Sequence, residues 1–138
     1  MDEPTQSQPL PVPIRRFLEV PRYATIATLL PNGTPHQAVV WYDLRGESVM
    51  INSRRGRRWP ANLERDSRIG IAVYDDANPD HWVGLRGVAE VLRSGPTAVA
   101  DIEDLARRYE GNPADFAGQD RITFLVRIQR AFEYGDVE

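Results

Sequence analysis

The chain has 138 residues, of which 41% are hydrophobic and 27% charged, and its formal net charge is −3. This length and composition are those of one globular domain with its own core. The negative charge argues against a nucleic-acid partner, and no apolar run approaches the roughly 18 residues of a membrane span. The absence of cysteine excludes disulfides and thiol chemistry, and without a signal-peptide pattern we expect a cytoplasmic protein.

The first 20 residues are predicted to form an arm and a short helix. Met1–Pro13 contains four prolines and many polar residues, which is typical of a flexible or extended segment. Ile14–Val20 carries apolar residues on one side of a short helix, which Pro21 ends. We therefore expect residues 21–138 to form a single folded domain.

Three strands follow the helix. Tyr23–Leu30 and His36–Tyr42 are rich in β-branched and aromatic residues, and Asn32-Gly33 lies between them. An Asn-Gly pair between two such runs is the strongest short-range indication of a hairpin. A second turn at Asp43–Glu47 leads to a third strand, Ser48–Asn52. The pattern predicts an antiparallel meander that ends at an arginine-rich loop.

The rest of the chain continues the β pattern around one amphipathic helix. In order it contains a strand at Arg68–Tyr74, a strand with Val83, Leu85, Ala89 and Val91 on one face, a helix at Pro96–Glu110 and a final strand at Ile122–Phe132. Gly84 and Gly87 predict a bulge, a sharp bend or a close backbone approach. The sum is a mainly β (α+β) protein whose six antiparallel strands form a small closed or split barrel, with one amphipathic helix and short helices.

The loop after the third strand is the main candidate for ligand binding. It joins that strand to a short helix, whose first turn accommodates Pro60, and it contains four arginines: Arg54, Arg55, Arg57 and Arg58. Guanidinium groups are forked, permanently charged donors that match phosphate or carboxylate oxygens. Such a loop can be a solvated charged turn, but four crowded like charges repel one another unless an anion is present. We therefore favour an anion site, with Trp59 partly exposed beside it and able to stack on a planar ligand.

No set of side chains indicates catalysis by the protein itself. The two histidines, His36 and His81, have no partner at metal-ligand spacing, so no metal site is predicted. There is no G-x-S-x-G nucleophile motif, and the absence of lysine excludes Schiff-base chemistry. A protein of this kind that holds an anionic planar ligand fits a redox cofactor that carries the chemistry.

Several segments resemble a known family. Similarity to the pyridoxamine 5′-phosphate oxidase-like split β-barrels of the FMN-binding type is carried by Tyr23–Thr28, Pro31–His36 and Val39–Tyr42. Similarity to the branch of probable F420-dependent enzymes is carried by Gly56-Arg57-Arg58, Asn62-Leu63, Arg65-Asp66, Arg68, Trp82-Val83 and Arg86–Val91. The C-terminal substrate-binding segment of true pyridoxamine phosphate oxidases finds no match in Ile122–Glu138, so vitamin B6 synthesis is not predicted.

The resemblance implies a homodimer whose two sites are each built by both subunits. A flavin or deazaflavin would lie against the second and third strands, with its phosphate at the arginine loop. The candidate cofactor-binding residues are His36, Gln37 and Ala38 beside the ring, Asn52, Ser53, Arg57 and Arg58 near the phosphate, Trp59 where many relatives have lysine, and Trp82 as a candidate contribution from the partner subunit. No catalytic residue is assigned.

The resemblance also implies a reaction class. The leading hypothesis is an oxidoreductase in which reduced coenzyme F420, a deazaflavin, passes a hydride to a small organic acceptor. An FMN-dependent oxidase or reductase on the same fold is an alternative. The four arginines suit the longer anionic tail of F420, but they are only weak evidence for F420 over FMN, which has one terminal phosphate. A cofactor carrier without turnover is a third hypothesis.

Overall fold

A computed structural model describes residues 9–135 of the chain, which form one curled antiparallel sheet and three α-helices. The strands are β1 (Ala24–Leu29), β2 (Pro35–Val40), β3 (Asp43–Arg45), β4 (Ser48–Arg54), β5 (Arg68–Asp75), β6 (Asn78–Gly95) and β7 (Arg121–Tyr134). The helices are α1 (Val12–Glu19), α2 (Arg58–Arg65) and α3 (Val99–Arg108), with short 3₁₀ turns at Pro96–Ala98 and Pro113–Phe116. Over residues 9–135, no helix combines the length and the apolar character needed to cross a membrane.

The mainly β, antiparallel class is confirmed, but the prediction of a six-stranded barrel is wrong. Asp43–Arg45, predicted as a turn, pairs with β4 as a seventh strand, β3. The order β2-β1-β5-β6-β7-β4-β3 leaves the sheet unclosed, with β2 and β3 at its edges over the described residues. Trp41 and Tyr42 alone connect these edges. Three Cα–Cα steps span at most roughly 11 Å, so the sheet must curl until its edges approach one another.

The predicted hairpin is confirmed, and the predicted three-stranded meander is wrong. β1 and β2 pair antiparallel across the Asn32-Gly33 turn, with Ala24 opposite Val40. β4, however, pairs with β3 and β7 instead of β2. All of Ser48–Ser53 is buried, because one face of β4 joins the main core and the other packs under α3. Because β4 has a hydrogen-bonded neighbour on each side, it lies inside the sheet and does not form its edge.

The two glycines in β6 allow close approaches, as predicted. The register between β6 and β7 shifts at Arg86/Gly87, which marks a bulge. A Cβ atom at Gly87 would lie 2.1 Å from the carbonyl oxygen of Arg127, and one at Gly84 would lie 2.4 Å from the Phe132 ring. Only glycine therefore fits at position 87 without moving the neighbouring main chain.

The curled sheet encloses the main core together with α1 and α2. Its largest fully buried side chains include Leu18, Ile26, Tyr42, Phe124 and Ile128. A smaller cluster lies between β4 and α3, where Met50 contacts Ile102 and Leu105.

Most of the predicted N-terminal arm lies outside the described residues, and its described end is packed. Residues 1–8 are not described, whereas Leu10 is only 7% exposed and belongs to the main core. The Leu10 N–H donates to Oε1 of Glu47 at 2.8 Å. Helix α1 already begins at Val12, two residues before the predicted start, so Val12 and Pro13 are helical and not part of an extended arm.

Candidate functional site

A cavity of about 340 Å³ lies beside the edge strand β2, and its volume is within the range of small-molecule sites. It is lined by Tyr23, Val39, Val40, Trp41, Asn52, Ser53, Arg57, Trp59, Ile102, Phe116 and Arg121. The polar and cationic members come from the end of β4, the following loop and the start of β7. The remaining members are almost all apolar or aromatic, so the lining joins a charged part to a hydrophobic part.

A hydrogen-bond chain fixes the polar part. Nε of Arg121 donates to Oδ1 of Asn52 at 2.9 Å, and Nδ2 of Asn52 donates to Oγ1 of Thr123 at 2.8 Å and to the Ala98 carbonyl at 3.0 Å. The Thr123 hydroxyl donates to Oδ2 of Asp101 at 2.6 Å. Arginine can only donate and an ionised carboxylate can only accept, so the chain runs in one direction. The amide oxygen of Asn52 therefore faces Arg121 and holds it in place.

Arg121 is a buried cation for which the described part of the chain provides no counter-ion. It is 8% exposed, and Nη1 donates to Oε1 of Gln119 at 2.8 Å. No carboxylate of residues 9–135 lies within 4.0 Å of its guanidinium. Burial, followed by the positive charges of Arg57 and Arg54, lowers the pKa of Arg121 from its ordinary value to about 10. A buried charge is costly unless it is paired, so this position favours a bound anion.

The arginine loop adds further charge that the described residues do not neutralise. Arg55 is paired with Glu64 at 3.4 Å, whereas the side chains of Arg54, Arg57 and Arg58 have no ion pair within residues 9–135. Only Arg57 of these lines the cavity. No side chain caps the start of α2, so its first N–H groups add to the positive potential. Together with Arg121, the loop forms a site with an excess of positive charge.

The apolar part is formed by β2 and the aromatic residues near it. Val39, Val40 and Trp41 line the cavity. Trp41 stacks on Tyr109 with ring centroids 5.2 Å apart, and it meets Phe116 edge to face at 6.2 Å. Because β2 is an edge strand of the sheet formed by residues 9–135, the main-chain N–H and C=O groups on its open side are not used by a neighbouring strand. This wall offers both an apolar surface and hydrogen bonds to a flat ring.

Four of the predicted site residues come together in the cavity lining: Asn52, Ser53, Arg57 and Trp59. The expectation that Trp59 is partly exposed is wrong, because the side chain is only 5% exposed and packs on Phe124 at 5.8 Å. The first turn of α2 directs this ring into the core. Arg58 is exposed and lies outside the lining.

The other predicted residues lie elsewhere on the chain. His36 and Ala38 are half-buried on β2, and neither lines the cavity. Gln37 and Trp82 share a shallow groove of about 240 Å³ on the outer face of the sheet. The cofactor-binding role of every predicted residue, including those in the cavity, stays a prediction.

Arg121 was not identified from the sequence. It belongs to no motif, and the bond to Asn52 joins positions 69 residues apart. Its place directly before the final predicted strand is the only local signal, and many strands begin with a surface arginine.

Comparison with known proteins identifies the family. The family model described as pyridoxamine 5′-phosphate oxidase matches residues 11–134. The chain belongs to this family. Among solved structures with a similar fold, an F420 reductase is 29% identical to this chain. Its TM-score is 0.75, and the match covers 86% of this chain and 94% of that chain. Comparison with curated proteins finds no sequence match.

More distant structures share the fold of the pyridoxamine 5′-phosphate oxidase family. A conserved hypothetical protein from Mycobacterium tuberculosis is 21% identical, with a TM-score of 0.77 over 100% of this chain and 91% of that chain. The heme storage protein HutZ from Vibrio cholerae is 18% identical, with a TM-score of 0.74 over 94% and 97% of the two chains. The description of the matched family names an oxidase, and the F420 reductase is a structural relative of this chain.

Proposed function

We propose that this protein is an oxidoreductase that uses reduced coenzyme F420 to transfer a hydride to a small organic acceptor. The observation that carries the proposal is the uncompensated charge of Arg121, Arg57 and Arg54 beside the apolar wall of β2. An anion-tailed planar cofactor matches both parts of the cavity. The 29% identity to an F420 reductase supports the choice of F420.

The amount of free charge favours F420 over FMN. A terminal phosphate such as that of FMN carries about −1.5 to −2 charges at neutral pH. Four guanidinium groups without a carboxylate partner in the described residues lie in or near the site, those of Arg54, Arg57, Arg58 and Arg121. The longer tail of F420, which includes glutamates, can engage more of these groups than one phosphate can.

The chain's own residues would bind and orient the cofactor. When bound, the reduced deazaflavin supplies the hydride, and no side chain is assigned to chemistry. Arg57 and Arg121 would donate to the phosphate oxygens, while Asn52 holds Arg121 through Oδ1. The segment of β2 that contains Val39 and Val40 would lie along the ring, and Trp41 would keep water from it.

We also propose that the protein acts as a homodimer through the outer face of the sheet. The face carries large exposed apolar side chains: Val39 (68% exposed), Tyr134 (60%) and Phe132 (40%). Between them the cross-strand rows contain small residues: Ala27, Gly70, Ala72 and Gly84. Exposed apolar side chains grouped on one face are typical of an interaction surface, and exposed Arg86 lies in the same rows.

The function is tested by titration of the purified protein with reduced and oxidised F420 and with FMN. We expect F420 fluorescence to change on binding, and we expect bound reduced F420 to be oxidised faster when the correct acceptor from a panel is added. Tight binding of FMN alone would favour the FMN-dependent alternative. Binding without turnover across the panel would favour a carrier.

The dimer is tested separately by sedimentation velocity. Phe132→Glu places a charge on the outer face, and we expect it to shift the protein to monomers and to weaken cofactor binding. Val12→Glu is the matched control, because Val12 is 58% exposed but lies on α1. A wild-type protein that sediments as a monomer at all concentrations would refute this part of the proposal.

A further inference from the structure

A second cavity, of about 350 Å³, lies on the other side of Tyr23, which lines both cavities. It is formed where the chain enters β1, at the β5–β6 turn and at the end of α3. Its lining consists of Pro21, Arg22, Tyr23, Tyr74, Asp76, Arg108, Tyr109 and Glu110. The lining contains three tyrosine rings, two arginines and two carboxylates. The charge of the ligand that the cavity prefers therefore depends on which of these groups have no partner of their own.

Both arginines are already committed to the fold. Arg108 donates through Nε, Nη1 and Nη2 to the carbonyls of Tyr42, Glu19 and Leu18 at 2.9, 3.1 and 3.0 Å. Asp43 lies 3.4 Å away and offsets part of its charge, although this carboxylate also pairs with Arg45 at 2.8 Å. Three of the five N–H groups of Arg108 are therefore used by main-chain carbonyls outside the cavity lining.

Arg22 is committed in a similar way. Its guanidinium donates to the Phe17 carbonyl and lies 3.8 Å from the centroid of the Phe17 ring. The carboxylate of Asp75 lies 4.0 Å away and offsets its charge. The side chain is 17% exposed, so it contributes to the wall and offers little to a ligand.

The carboxylates of the cavity are the free charges. Asp76 and Glu110 are exposed, and neither carboxylate has a hydrogen bond or ion pair within the described residues. With the charges of Arg22 and Arg108 offset by their own partners, the cavity has an excess of negative charge. Two exposed tyrosine rings line the same cavity as these carboxylates. Tyr23 is 61% exposed and Tyr74 is 50% exposed.

We propose that this second cavity binds an organic cation, an alkylated ammonium with a short apolar chain. The face of an aromatic ring attracts a cation, and a nearby carboxylate adds a direct charge interaction. A methylated ammonium suits the site better than a compact, strongly hydrated ion, because its methyl groups contact the rings of Tyr23 and Tyr74. The inference does not depend on the proposed redox function, since it uses neither F420 nor the arginine loop.

Choline and its uncharged isostere 3,3-dimethylbutan-1-ol test the role of charge. The wild-type protein is titrated with each compound without any redox cofactor, and ring proton shifts of tyrosine are followed by NMR. We expect choline to bind about tenfold more tightly than the alcohol and to shift tyrosine resonances that are lost in Tyr23→Leu or Tyr74→Leu. Equal affinity for the two compounds would show an apolar cavity only and would overturn the proposal.

Carboxylate variants test the location of the site. Asp76→Asn with Glu110→Gln keeps side-chain shape and removes the two free charges, and we expect it to abolish the preference for choline. The matched control is Asp115→Asn with Glu133→Gln, since both residues are exposed and lie outside the cavity. A choline affinity that survives the first double variant, or that falls equally in the control, would refute the assignment. Absence of any choline binding to the wild type would also refute it.

Discussion

Replacement of single arginines gives the sharpest test of the anion site. The structure ranks four of them by their expected contribution to anion binding, because they differ in burial, position and ion pairing. Arg121 is buried and hydrogen-bonded to Asn52 beside the cavity, and Arg57 lines the cavity from an exposed position. Arg58 is exposed outside the lining, and Arg55 is already paired with Glu64. The affinity for F420 should therefore fall most in Arg121→Gln, less in Arg57→Ala, slightly in Arg58→Ala and least in Arg55→Ala.

The size of each loss follows from burial. A hydrogen bond to a charged group contributes about 1.5–3 kcal/mol, and solvent screening places the exposed Arg57 near the lower limit. Arg57→Ala should then raise the dissociation constant about tenfold, and Arg121→Gln about 100-fold. Arg55→Ala should change it by less than about threefold, because its charge is offset by Glu64.

The assay is fluorescence titration of F420 against each variant at two salt concentrations. Circular dichroism and urea unfolding of each variant control for loss of fold. Higher salt should weaken wild-type binding, and it should weaken the Arg57→Ala protein less, because one exposed charge contact is gone. Equal affinities in Arg57→Ala and Arg55→Ala, with both proteins folded, would refute the assignment of this cavity to the cofactor tail.

Three further predictions concern stability. Thr123→Val breaks the buried hydrogen-bond chain and should lower the free energy of unfolding in urea by about 1–3 kcal/mol, whereas exposed Thr97→Val should have little effect. Gly87→Ala should lower the free energy of unfolding more than Gly84→Ala. The new Cβ at position 87 meets main chain, whereas the one at position 84 meets the Phe132 ring. Equal losses in the two variants would contradict this. Burial holds the pKa of Tyr42 above 10.0, so the unfolded chain loses this proton first, and stability should fall as pH rises above 10. Tyr42→Phe should reduce that fall, and an unchanged pH profile would contradict the assignment.

The local elements were predictable because their signals are contained in a few neighbouring residues. Asn32-Gly33 specifies a hairpin wherever the flanking segments alternate, and the β1–β2 ladder forms there. The period of the apolar residues likewise located α3 and the strands on either side of it. The arginine loop was also visible as a concentration of charge at a strand-to-helix junction.

Other features could not be read from neighbouring residues. Asp43–Arg45 has a turn composition and becomes a strand only because β4 lies beside it. Trp59 stands among arginines and is nevertheless buried, since the first turn of α2 points its ring at Phe124. In each case a tertiary contact outweighed the local composition.

The sequence by itself determined the class of fold, the hairpin and the presence of a cationic loop, because hydrogen bonding and apolar period act over a few residues. Only the tertiary structure decided that β4 lies between β3 and β7, and that Arg121 meets Asn52 beside that loop. Strand neighbours are selected by the total apolar area that the whole sheet buries, which involves residues far apart in the chain. A cavity is formed by residues far apart in the chain, so its charge balance becomes visible only after folding.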